Sequence, residues 1–143
     1  MKNFASVFAI GLLCTIAPAS AQEKVFRSIE AAPGKEARLG LVGNVSKECT
    51  PGPRPQVKVV TPPKNGTLSI RSGKTKPGSL ARCPNLEVPA EGVFYTANPS
   101  FNGTDEVVYS VTRSDGRNQL VTIRITVSGK AKPAPQSQGA TDI

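Results

Sequence analysis

Asp105-Glu106-Val107-Val108-Tyr109-Ser110-Val111-Thr112, then Ser114-Asp115-Gly116-Arg117-Asn118, then Val121-Thr122-Ile123-Arg124-Ile125-Thr126-Val127, is the stretch that decides the fold. Val107, Tyr109 and Val111 recur at every second position, as do Val121, Ile123, Ile125 and Val127. A period of two rich in β-branched residues gives a strand with one apolar face, and no helix presents such a pattern on one side. Asp115-Gly116 at the centre of the intervening segment is hairpin turn chemistry.

Working outward, shorter strands are expected at Val25 to Ile29, Glu36 to Val45, Gln56 to Thr61, Thr67 to Arg71 and Val93 to Thr96. Between them stand Ala32-Pro33-Gly34-Lys35, Pro62-Pro63 and Asn65-Gly66, all turn-forming combinations. Gly40 and Gly43 inside the second strand mark a bulge or a close backbone approach. With the final hairpin this makes seven strands. No segment after the first 21 residues has a 3.6-residue apolar repeat. The expected class is all-β, an immunoglobulin-like antiparallel β-sandwich.

The chain has 143 residues, a formal net charge of +8, three cysteines and no histidine. Met1 to Ala21 reads as a secretory signal peptide: Lys2, an apolar run, and Ala19-Ser20-Ala21 as a small-x-small cleavage site. That run is too short for a comfortable membrane span, and no later segment would serve, so no transmembrane segment is expected. Leu13 stands where a lipoprotein signal needs a small residue before Cys14, so no lipid anchor is expected. Removing the leader takes away one cation and leaves a domain at 22–128 and a Pro/Gln-rich tail at 129–143 expected to be disordered. Leu, Ile, Val and Phe are little more than a fifth of what remains, just above the level of about 20% at which folding fails.

An exported chain whose mature part holds two cysteines is expected to join them, here Cys49 to Cys83. Chain entropy puts the gain at about 3–4 kcal/mol. In a seven-strand sandwich of this order the second-to-third and fourth-to-fifth loops lie at one end. Those loops, about Ser46 to Pro55 and Ser72 to Gly92, carry one cysteine each.

Pro62-Pro63-Lys64-Asn65-Gly66-Thr67-Leu68, Phe94-Tyr95-Thr96-Ala97-Asn98-Pro99, Phe101-Asn102-Gly103-Thr104-Asp105 and Tyr109-Ser110-Val111 together resemble a known family. It is that of the bacterial immunoglobulin-like, cadherin-like repeats of large surface proteins. The resemblance spans Val25 to Val127 and implies a spacer or adhesive module without enzymatic activity. The chain departs from the family in being a single basic copy with a cysteine pair. Within the motif, Gly66 and Gly103 suit turns that need positive φ. Tyr95 and Phe101 belong to the core. Asp105 with Tyr109 resembles the tyrosine corner, in which the tyrosine hydroxyl bonds to nearby backbone.

Catalytic candidates are few. Without histidine there is no His-based triad, general base or metal ligand. Glu87 and Glu91 are the one carboxylate pair within a single loop, and no enzymatic role is expected of them. Asp105, Glu106 and Asp115 could offer calcium ligands, but the hairpin separates Asp105 from Asp115, and neither a metal nor a cofactor is expected. Asn44-Val45-Ser46, Asn65-Gly66-Thr67 and Asn102-Gly103-Thr104 match the glycosylation pattern and are read as turn chemistry. The charge says more. Lys47, Arg54, Arg71, Lys74, Lys76, Arg82, Arg113 and Arg117 are expected at the disulfide end, against Glu48, Glu87, Glu91 and Asp115. Arg71, Lys74, Lys76 and Arg82 are the expected contacts for an anionic envelope polymer. The alternative is an envelope protein bound by strand addition at a sheet edge. Nucleic acid is not expected, because no aromatic residues interleave with the cations for base stacking.

Overall fold

The computed structural model describes residues 22–76 and 83–130. The expected leader, Arg82 and nearly all of the tail lie outside them. Seven strands follow in order: β1 Glu23–Ala31, β2 Glu36–Gly43, β3 Gln56–Thr61, β4 Gly66–Thr75, β5 Val88–Ala97, β6 Gly103–Thr112 and β7 Asn118–Val127. They form a four-stranded sheet, β1-β7-β6-β3, and a three-stranded sheet, β2-β5-β4. The chain is an all-β sandwich, with no helix among the described residues.

The strands with the cleanest alternation hold the middle. β6 and β7 pair without a break from Gly103 opposite Val127 to Thr112 opposite Asn118. Val107, Tyr109, Val111, Val121, Ile123, Ile125 and Val127 turn inward and meet Leu39, Val93 and Tyr95 of the opposite sheet. Full burial of each such side chain contributes roughly 1.5–3 kcal/mol.

Two features differ from the sequence reading. β1 runs parallel to β7, from Glu23 opposite Gln119 to Ala31 opposite Val127, so the sandwich is antiparallel except at this edge. Strand periodicity carries no sign of direction, and only the crossing at Ala32–Lys35 sets it. β4 and β5 are also longer than their apolar stretches. Pairing continues through Ser72 opposite Glu91 and Thr75 opposite Val88. Ser72, Gly73 and Lys74 resemble a loop by composition, and they remain strand because β5 satisfies their backbone. The β4–β5 connection is therefore only Lys76 to Glu87.

Gly40 serves both purposes expected of it. The β2–β5 register slips between Arg38 and Gly40, and a Cβ there would lie 2.6 Å from the Tyr109 hydroxyl oxygen. Gly103 has φ of +147°, as a turn position should. Gly66 does not have positive φ. It is glycine because a Cβ would lie 2.5 Å from the Thr96 carbonyl oxygen and 2.6 Å from the Tyr95 ring.

Candidate binding site at the disulfide-linked loop end

Register places three loops at one end. β2 finishes with Gly43 opposite Ala90, and β4 finishes with Thr75 opposite Val88. β6 finishes with Thr112 opposite Gln56 of β3 and Asn118 of β7. The β2–β3, β4–β5 and β6–β7 connections therefore lie side by side. Cys49 and Cys83 form the expected disulfide across the first two, with Cα atoms 5.6 Å apart and 34 positions between them.

The β2–β3 connection folds back on itself. The Ser46 hydroxyl accepts the Glu48 and Thr50 N–H groups at 3.2 and 3.1 Å. The Asn44 carbonyl accepts Gly52 N–H at 2.9 Å. The Asn44 side-chain amide donates to the Pro53 carbonyl at 2.7 Å, and the residue is only 6% exposed. Asn44 thus braces a loop.

Much of the positive charge at this end is already compensated. Arg54 lies 3.6 Å from Glu91, Lys76 lies 4.0 Å from Glu87, and Arg117 lies 2.6 Å from Asp115. Glu91 also accepts the Ser72 hydroxyl at 2.7 Å. Glu87 and Glu91 are therefore engaged separately by different cations. The Asp115 carboxyl is held below the usual carboxylate range, first by the side-chain bond from Arg117 and then by its backbone N–H.

Of the four expected contacts, Arg71 sits within β4 rather than in a loop. Its guanidinium forks onto the Glu36 carboxylate, with Nη1 to Oε1 at 3.1 Å. It also lies 4.5 Å over the Phe94 ring. Its charge thus serves the outer face of the three-stranded sheet. Lys74 is exposed near the end of β4. Lys76 faces Glu87, and Arg82 lies outside the described residues.

Asp105 works at the opposite end, and its partner is Tyr95. The carboxylate, 4% exposed, accepts Lys64 N–H at 3.0 Å, Asn65 N–H at 2.8 Å, Glu106 N–H at 2.9 Å and the Tyr95 hydroxyl at 3.1 Å. Burial alone would raise its pKa, but these four donors outweigh that and lower it. The Tyr95 hydroxyl is pushed well up, by burial first and then by the Asp105 charge. Tyr109 does not make the corner expected of it. It runs across the core, with its hydroxyl against Gly40 of β2. Asp105 and Asp115 remain far apart along the hairpin. Among the described residues no group of three or more acidic, cysteine or histidine side chains is placed to hold a metal.

Sequence reading missed a cleft where the sheets part between β1 and β2. It is lined by Arg27, Tyr109, Arg113 and Gln119 over the β2 segment Gly40–Gly43, with a volume of about 110 Å³. The one available signal was Arg27 itself, a cation in phase with the inward-facing Val25 and Ile29.

No family model matches the chain, and no curated protein matches it either. Among solved structures it is similar to a solution structure of Amebosin, at 11% identity over 76% of this chain and 99% of that one. The TM-score is 0.44, a likeness that carries no argument about function.

Proposed function

We propose that the protein is an exported, non-catalytic binding module of the bacterial envelope or surface, related to the immunoglobulin-like repeats that its motifs resemble, and that its disulfide-linked loop end contacts an anionic envelope component. One observation carries this reading. At that end Glu87, Glu91 and Asp115 are each engaged by a cation, while Lys47, Lys74 and Arg113 have no carboxylate partner among the ion pairs of the described residues, and of the four acids expected there Glu48 alone is likewise unpaired. The uncompensated charge is therefore net positive, carried by Lys47 in the disulfide-linked β2–β3 loop, Lys74 near the end of β4 and Arg113 at the start of the β6–β7 connection. Such a surface attracts polyanions, and salt weakens the attraction. The disulfide agrees with an oxidising compartment. No helix among the described residues is long and apolar enough to cross a membrane.

A second reading, strand addition to a protein partner, is favoured by the edges β1 and β4; β1 pairs with β7 without a break, contains no proline and leaves Phe26 exposed. β2 and β3 carry register breaks, and prolines flank β3, all devices that blunt an edge. β4 pairs with β5 unbroken from Gly66 to Thr75, contains no proline, and leaves Ile70 37% exposed on its open side.

Retention of the oxidised protein on its own cells' envelope fraction, at about 20 and about 500 mM salt, separates the two readings. The expected result is retention at low salt that disappears at high salt and in Lys47→Glu/Lys74→Glu. Arg71 is left intact in this variant because its reversal would break the bond to Glu36. Salt-resistant retention abolished by Ile70→Lys would replace the charge reading with edge pairing. No retention at either salt would overturn both.

A further inference from the structure

The cleft between β1 and β2 lies at the same end but is a different object from the loop surface. Arg27 enters from β1, Arg113 from the start of the β6–β7 connection, Gln119 from β7, and Tyr109 from β6. Tyr109 is 1% exposed, and its hydroxyl lies over Gly40, where the absent side chain leaves it room. Four residues with hydrogen-bonding side chains thus line one hollow, and two of them are arginines.

No lining residue is acidic. The nearby carboxylates serve other cations. Asp115 accepts from Arg117, and Glu23, paired in register with Gln119, exerts its charge on Arg117 as well. Neither Arg27 nor Arg113 belongs to an ion pair among the described residues. Two arginines lining one hollow, with no carboxylate in its lining, leave a positive charge there that an anion would balance. Guanidinium forks suit the paired oxygens of a carboxylate or phosphate.

We propose that this inter-sheet cleft is a binding site for a single oxyanion group, a carboxylate or phosphate borne on an envelope polymer, gripped by Arg27 and Arg113 with Tyr109 and Gln119 as neutral donors. A hollow of about 110 Å³ is matched to a group the size of acetate or phosphate, or a few waters, rather than to a stretch of polymer chain. The ligand is therefore a pendant or terminal group whose chain runs out between β1 and β2. Arg27 already acts on the floor of the cleft. Burial raises the Tyr109 hydroxyl pKa, and the Arg27 charge works against that rise.

The proposal rests on the reading that this end meets an anionic partner, and the test separates the two. Amide NMR of the oxidised protein is followed while sodium acetate or sodium phosphate replaces sodium chloride at constant ionic strength. Saturable shifts confined to the cleft lining, Arg27, 40–43, Tyr109, Val111, Arg113 and Gln119, are expected, weakened at least about tenfold in Arg27→Gln/Arg113→Gln. Arg27→Lys/Arg113→Lys keeps the charge but loses the fork, and a smaller loss is expected there. The arm that saturates at lower concentration tells a carboxylate from a phosphate source. Lys47→Glu/Lys74→Glu should leave the titration intact while reducing envelope retention. Shifts that are absent, that scatter over Lys47 and Lys74, or that persist in the double glutamine variant would overturn the cleft. If only envelope retention fails, the cleft stands and the envelope reading does not. Unchanged β6–β7 amide dispersion in each variant is the check that the sandwich still folds.

Discussion

The Asp105 carboxylate accepts four donors while nearly sealed from water, so removing it leaves several polar groups buried and unpaired. Asp105→Asn keeps the shape but turns an N–H₂ toward N–H groups. A loss of about 2–4 kcal/mol is expected in urea unfolding. Tyr95→Phe removes one of the four donors and should cost about 1–2 kcal/mol. Tyr109→Phe should cost less than about 1 kcal/mol, because its hydroxyl rests against Gly40 and takes no part in the Asp105 network. Equal losses for the two tyrosines, read as melting temperatures, would contradict this assignment. The resemblance of the motifs to immunoglobulin-like repeats pointed to Asp105, Tyr95 and Tyr109 as structural residues. It could not pair them correctly, because the Tyr95 contact joins β5 to β6 across the sandwich and no local spacing encodes it.

At the scale of elements, the long β4 and the short β4–β5 connection change what the disulfide does. Cys49 sits in a loop braced by Ser46 and Asn44, and the bridge ties the β4–β5 connection to that loop at Cys83. Cys49→Ser/Cys83→Ser should lose about 2–4 kcal/mol. Hydrogen exchange should then rise first at Lys76 and from Cys83 to Glu87, while β6 and β7 keep their protection. Uniform loss of protection would mean that the bridge supports the whole sandwich. The seven strands were legible because each carries some apolar alternation or lies between turn residues. The extra length of β4 and β5 was not, since Ser72, Gly73, Lys74 and Pro89 owe their strand state to partners across the sheet. Arg71 shows the same limit. Its sequence position suggests a loop cation, and only the register brings Glu36 and Phe94 to it.

For the whole molecule, acid tests the balance of charge. The Asp105 carboxyl lies below the ordinary range when folded, so the unfolded chain binds that proton first as pH falls. Its contribution is complete above about pH 4 and disappears as pH drops through the folded value. Urea midpoints measured from about pH 6 to about pH 2 should fall along an acid limb that Asp105→Asn flattens. An unchanged limb in that variant would move the acid sensitivity to other carboxylates. The sequence by itself determined the all-β class, the seven strands, the central hairpin and the cysteine pair. Apolar alternation, turn chemistry and cysteine number are properties of neighbouring residues, and they persist in any arrangement of the chain. Tertiary structure alone decided the parallel setting of β1, the engagement of Arg71 by Glu36, the union of Tyr95 with Asp105, and the cleft between Arg27 and Arg113. Each depends on residues of different strands and connections whose meeting is fixed by register and by how two twisted sheets close on a shared core.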